Sequence, residues 1–327
     1  MHFNNESITL HESINIYLNW KKTHTTKAPE AYRVRLEQFA DYFKAEKSHL
    51  KDITGDDITT FHNQLLEVLS PATVAYSARI LRNYFTFWQG RGQVNLNPKE
   101  IIPIRFINAD KDIVEKEDFE DMVALLDDHY IDELQKKLVL HLLWDTGMRI
   151  SELLELKLSD IQPKGSNGLR AAKVKTRKTM RYNLVVWGAS TDELLLKYLA
   201  WRLEVNHPGD WLFVPTHKKS NHEEGICTRT VQRWVKQLAK QAMLDKQITP
   251  HSFRHGKAHY MLDHGASAVD VQAVLRHRNL NSSLNYMQLN EKQYLRTTSK
   301  FLDQRLAEVV GIGSSLARTN ESRYTLA

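Results

Sequence analysis

Apolar residues recur at helical spacing along most of this chain, and in one place the pattern gives way to strand-like segments. Tyr32, Leu36, Phe39 and Phe43 stand four, three and four residues apart, which lines one face of a helix. Val74, Ala78, Leu81, Phe85 and Trp88 make a second inward face, ending near Gly90 and Gly92. Thr54, three residues before Asp57, forms an approximate capping box, and Ser70-Pro71 supplies an N-cap with proline at the first helical position. The first hundred residues therefore predict four helices with short joints. Helical stretches return in EKEDFEDMVALLDD, IDELQKKLVLHLLWDTG, TDELLLKYLAWRLE, RTVQRWVKQLAKQAM, HSFRHGKAHYMLDHG and ASAVDVQAVLRH. Between them, Gly165, Asn167 and Gly168 mark turns, and LRAAKVK and RYNLVVW predict two strands joined by a basic turn.

A length of 327 residues fits about two domains. Residues 93–112 contain two prolines and no helical period, and are expected to link them. The first residues lack a basic segment followed by an apolar one, so no signal peptide is expected. No apolar run approaches the about 18 residues of a membrane span. The lone cysteine, Cys227, excludes an intrachain disulfide and a metal site built from several thiolates. An intracellular protein, free of membranes, is the expectation.

Charge is uneven. The net charge is +6, yet residues 1–100 carry 12 Lys and Arg against 11 Asp and Glu. Most of the excess thus lies in the second part. Its sharpest concentration runs from 163 to 181, where Lys164, Arg170, Lys173, Lys175, Arg177, Lys178 and Arg181 occur without an acid. Such a hairpin suits phosphate contacts, although a solvated hairpin has the same composition.

Three further segments carry possible chemistry. Arg149 follows Gly147 where one helix stops and the next begins, a place that suits an anion; pairing with Glu152 three residues on is the plainer reading. His251 and Arg254 share a helical face, so a proton-exchanging group stands beside a phosphate-binding one. His277 precedes Tyr286 by nine residues.

Taken in order, an arginine, a lysine in a β-hairpin, His-x-x-Arg, a histidine and a tyrosine nine residues later resemble the signature of the tyrosine recombinases, the phage integrase family. DTGMRISELLELKLSDI resembles that family's first conserved box, and TPHSFRH, LDHGAS, VQAVLRH and LNSSLNYMQL resemble its second. KDITGDDITTFHNQLL, SPATVAYSARILRNYFTFW and Asn97-Pro98 resemble its core-binding domain. The resemblance implies a mainly α fold: a four-helix SAM-like core-binding domain over 1–92, a linker over 93–112, and a mostly helical catalytic domain with a small antiparallel β-sheet over 113–300. A C-terminal helix and tail over 301–327 would pack on a neighbouring protomer or back on its own domain.

The resemblance also implies roles. Tyr286 would attack the scissile phosphate of duplex DNA to give a 3′-phosphotyrosine and a 5′-hydroxyl, without metal, ATP or another cofactor. Arg149 and Arg254 would neutralise the phosphate oxygens, His277 would donate to one of them, and His251 would take the tyrosine proton. A hairpin lysine would protonate the leaving oxygen; Lys173, Lys175 and Lys178 are candidates, and Lys175 opens the turn. Glu152 would support Arg149. Lys173, Arg177, Lys178, Arg181 and Arg276 are expected DNA contacts. Arg276 stands where many relatives have glycine, and His255-Gly256-Lys257 replaces the usual small and aromatic residues after Arg254. The implied assembly is a homotetramer on DNA, in the cytoplasm with the nucleoid, and the chain is expected to lack a separate arm-binding domain. A telomere resolvase or type IB topoisomerase-like strand transferase, and a non-catalytic DNA-binding protein of the same fold, are the alternatives.

Overall fold

The computed structural model describes residues 8–24, 30–101, 103–105, 112–176, 181–206, 209–216, 225–277, 279 and 283–284. The chain divides into two compact units, residues 1–110 and 111–327.

The first unit holds the four expected helices: α1 (Leu10–His24), α2 (Glu30–Phe43), α3 (Gly55–Val68) and α4 (Pro71–Gln89). Local chemistry sets two of the starts. The Thr54 hydroxyl accepts from the Asp57 N–H, and the Asp57 carboxylate accepts in return from Thr54. Ser70 caps α4 with Pro71 at its first position. Tyr32, Leu36, Phe39 and Phe43 face inward from α2, against Val74, Leu81, Phe85 and Trp88 of α4. The aromatic rings meet edge to face, Phe39 with Phe61 at 5.2 Å and Tyr17 with Tyr84 at 5.4 Å between centroids. Val94, Leu96 and Ile101 are buried in this same core, so the first half of the stretch expected to link the domains packs into unit 1. A 3₁₀ turn at Pro98–Glu100, capped by Asn97, lies within it.

The second unit is built around α6 (Ile131–Thr146), which packs against α8 (Ala189–Glu204) and α10 (Pro250–Asp263). Leu138, Val139, Leu140, Leu142 and Leu143 of α6 are buried. A helix with so wide an apolar face lies inside a core. Around it stand α5 (Lys116–Ala124), the short α7 (Ile150–Leu154), α9 (Thr228–Gln241) and α11 (Ala268–Leu275). Asp145 fastens α6 to the start of α8: its Oδ2 accepts from the Thr191 hydroxyl at 2.6 Å.

The two expected strands form one antiparallel hairpin, β1 (Arg170–Thr176) and β2 (Arg181–Trp187). Ala172, Val174, Val185 and Trp187 face the core. The opposite face carries Lys173 across from Leu184 and Lys175 across from Tyr182, all exposed. The structure thus matches a mainly α fold with a small antiparallel sheet. Among the described residues, no helix is long and apolar enough to cross a membrane.

Candidate active site

Arg254 shows how the fold draws distant segments to one point. Thr249 accepts from the Ser252 N–H, and Pro250 occupies the first turn of α10, so the helix starts just ahead of His251. Arg254, one turn in, is only 2% exposed. Its Nη1 donates to the Gly147 carbonyl at 2.7 Å, and its Nη2 donates to the Leu275 carbonyl. These carbonyls lie at the C-terminal ends of α6 and α11, where helix dipoles are negative and cations are favoured. Gly147 ends α6 with φ +55, and a Cβ there would strike the Leu275 side chain. Glycine therefore serves both the left-handed turn and the close approach of α11.

The unusual His255-Gly256-Lys257 sequence has a packing reason. A Cβ on Gly256 would run into the Val114 backbone carbonyl, and the Val114 N–H donates to Ser252 O at 3.3 Å. The segment leading into α5 lies directly on α10.

Arg149 is the residue before α7, and Glu152 holds it twice. Glu152 Oε1 accepts from Arg149 Nη1 at 2.8 Å, and Oε2 accepts from the Arg149 backbone N–H at 3.0 Å. The Glu152 side chain is 4% exposed while that of Arg149 is 38% exposed, so the cation faces outward from a buried anchor. Burial acts to raise the Glu152 carboxyl. The Arg149 N–H and the charges of Arg276 and Arg149 outweigh it and hold the carboxyl below its ordinary range.

Arg276 was expected among the DNA contacts. Its side chain instead turns inward, 7% exposed, and Nη2 donates to Glu152 Oε2 at 3.1 Å. His277 follows. Its N–H donates to Gln272 O at 3.0 Å, and Nδ1 lies 2.8 Å from the Ser283 hydroxyl. Burial first, then the charges of Arg254, Arg149, Arg276 and His251, lowers the imidazole to about 4. His277 is therefore neutral near pH 7. If its Nδ1 accepts from Ser283, the ring carries its hydrogen on Nε2 as a donor. His251 is exposed at the start of α10, its ring edge-on to His255 at 4.4 Å.

Arg149, His251, Arg254 and His277 thus come together from α7, α10 and the end of α11. Lys173 and Lys175 stand exposed on the outer face of the hairpin. Tyr286, Arg177 and Lys178 lie outside the described residues, as does the C-terminal helix expected over 301–327, and Arg181 is described only in its backbone. The basic run 163–181 is less uniform than its composition. Buried Asp192 of α8 binds the Arg170 guanidinium and lies 3.7 Å from Lys164 Nζ. Arg170 is thereby bound into the body of the unit, while Lys164, Lys173 and Lys175 remain exposed.

One basic surface was not anticipated. Arg229, Arg233, Lys236 and Lys240 of α9 are all exposed and recur at four, three and four residues, with no acid in the helix. The spacing rule applied to apolar residues finds this stripe when applied to basic ones. The described residues also hold one group of potential metal ligands, Asp127, Asp128 and His129, at the exposed turn between α5 and α6. Its carboxylates already bind His129 and Lys197, each at 2.7 Å.

The phage integrase family is matched over residues 113–293. Tyrosine recombinase XerC of Thermodesulfovibrio yellowstonii is 26% identical over 292 residues, covering 87% of this chain and 93% of the relative. XerC of Roseiflexus sp. is 29% identical over 318 residues, covering 90% and 92%. The crystal structure of XerH site-specific recombinase bound to a palindromic difH substrate, a post-cleavage complex, has a TM-score of 0.78 at 18% identity over 90% of this chain and 98% of that one. A lambda integrase tetramer bound to a Holliday junction has a TM-score of 0.68 at 18% identity over 88% and 79%. The structures share the fold. The chain belongs to the phage integrase family, the tyrosine recombinases. It is a site-specific DNA recombinase, which sets aside the resolvase, topoisomerase and non-catalytic alternatives.

Proposed function

We propose that this recombinase cuts and rejoins duplex DNA by moving a backbone phosphoryl group to Tyr286 and back. The observation that carries the reading is the set of contacts that draws the groups together: Glu152 holds both Arg149 and Arg276, the residue before His277, and Arg254, on the helix of His251, binds the Leu275 carbonyl. A phosphodiester is anionic and resists an anionic nucleophile, so its oxygens must be neutralised before attack. Arg149 is the outward cation on a buried anchor, and Arg254 adds positive charge beneath it. His277 donates a hydrogen bond without adding charge.

Tyrosine, with a reference pKa of about 10, is about one part in a thousand ionised near pH 7. His251, exposed beside these cations, accepts the tyrosine proton as the Oη–phosphorus bond forms. The bond from phosphorus to the 5′ oxygen breaks, and Lys175 gives that oxygen its proton. The products are a 3′-phosphotyrosine and a 5′-hydroxyl. A 5′-hydroxyl from a second duplex reverses the step, so the bond energy is kept and no cofactor is consumed.

Unit 1 serves as the core-binding domain, and the catalytic domain spans 113–300. Lys173, Arg177, Lys178 and Arg181 contact phosphates on one side, and the α9 stripe adds a second set. Exchange between two duplexes needs four active sites, hence a homotetramer on DNA, in keeping with the lambda integrase tetramer on its junction. The assembly works at the nucleoid.

A plasmid with two copies of a duplex selected for binding from a random-sequence library tests the reaction class. Recombination yields two smaller circles. Relaxation of supercoils without new circles would contradict the reading.

A further inference from the structure

We propose that Arg276 is a positioning residue that fixes Glu152, and through it Arg149, rather than a DNA contact. The proposal rests on the reading of Arg149 as a phosphate-binding group. Arg276 occupies the left-handed region, with φ 56 and ψ 46, as the residue that ends α11. A side chain there is disfavoured and glycine is the residue that suits it. The chain keeps an arginine and buries it. Nη1 donates to Val274 O at 2.8 Å, Nη2 donates to Glu152 Oε2 at 3.1 Å, and the buried Nε has no hydrogen-bond partner among the described residues. The side chain is 7% exposed and spends its reach on a buried carboxylate.

The geometry gives that contact a purpose. Glu152 uses Oε1 for the Arg149 guanidinium and Oε2 for the Arg149 N–H and Arg276 together. Arg276 therefore adds a second donor to the oxygen that accepts from the Arg149 N–H and restrains the carboxylate from rotating. It also changes the local charge count. Arg149 and Glu152 alone sum to zero, which weakens an arginine meant to hold an anion. With Arg276 the three sum to +1, so Arg149 can be anchored by a carboxylate without its charge being cancelled.

The test uses the full chain, a nicked duplex carrying a selected binding site, and the variants Arg276→Gly, Arg276→Lys, Glu152→Gln and Arg276→Gly with Glu152→Gln. Two quantities are read: the rate of covalent adduct formation at saturating DNA, and the salt dependence of binding. Arg276→Gly is expected to slow adduct formation about ten- to a hundred-fold, as loss of an orienting partner does. The salt slope is expected to stay the same, and the double variant to be no slower than the worse single one. Arg276→Lys, which restores the charge without the fork, is expected to fall between wild type and Arg276→Gly, and serves alone if the glycine variant does not fold. A salt slope reduced by about one would mark a phosphate contact and overturn the proposal. So would additive rate effects, or variants that react as fast as wild type. If wild type itself forms no adduct, the reading of the active site fails, which is a separate outcome.

Discussion

Arg254 and Gly147, 107 residues apart in sequence, are joined by a 2.7 Å hydrogen bond from the guanidinium to the last carbonyl turn of α6. At the same glycine a Cβ would meet the Leu275 side chain at the end of α11. Gly147→Ala is therefore expected to lower stability by about 1–3 kcal/mol, through the positive φ and the collision together. It is also expected to slow DNA cleavage more than it weakens binding, because it displaces Arg254, whose guanidinium the Gly147 carbonyl holds and which the proposed mechanism uses. Urea unfolding and single-turnover cleavage measure the two effects separately. Unchanged cleavage in a destabilised variant would detach Gly147 from the site.

The α9 stripe makes a prediction about salt. Arg233→Ala and Lys236→Ala remove exposed side chains of α9, and surface changes of this kind alter stability by about 0.5 kcal/mol or less. Each is expected to weaken binding similarly on any DNA sequence and to lower the log–log salt slope by about one. Binding titrations from low to moderate salt check this. An unchanged slope would place α9 away from the phosphates.

Acid should destabilise the chain from two places. Burial lowers His62 of unit 1 to about 4, and burial together with the surrounding cations lowers His277 to about 4. The unfolded chain binds these protons from about pH 6.5 downward while the fold refuses them to about pH 4, so stability present at neutral pH is lost as pH falls through that window. Glu152, held below its ordinary range, adds a loss below about pH 4.5. His62, 5% exposed, accounts for a slope of up to about 1.4 kcal/mol per pH unit. Unfolding midpoints at pH 7, 6 and 5 should fall in order, and His62→Leu should flatten the fall. A midpoint that rises toward pH 5 would contradict the buried neutral histidines.

The sequence and the structure agree most where the cause is local. The periodic faces of α2 and α4, the caps at Thr54 and Ser70, and the alternation of β1 and β2 all follow from neighbouring residues, and all were legible. The spaced set Arg149, His251, Arg254 and His277 was legible from its resemblance to a family rather than from any single segment. Contacts between remote segments were not. Arg276 looked like a solvent-facing cation because nothing nearby announces Glu152, 124 residues away. Arg170 and Lys164 counted toward a basic patch because Asp192 reaches them from another helix. Val94, Leu96 and Ile101 read as linker because they pack into the core of unit 1 with residues remote in sequence rather than alongside them. The α9 stripe is local, a basic period on the exposed half of a helix whose apolar half packs inward.

The central claim is that Tyr286 is the nucleophile and that Arg149, Arg254, His251 and His277 prepare the phosphate for it. A duplex carrying a selected site, nicked so that the cleaved fragment escapes, traps the covalent intermediate on a denaturing gel. Wild type is expected to accumulate a protein–DNA adduct at the 3′ phosphate, and Tyr286→Phe to accumulate none while binding the duplex as tightly. An equal adduct from Tyr286→Phe would contradict the account.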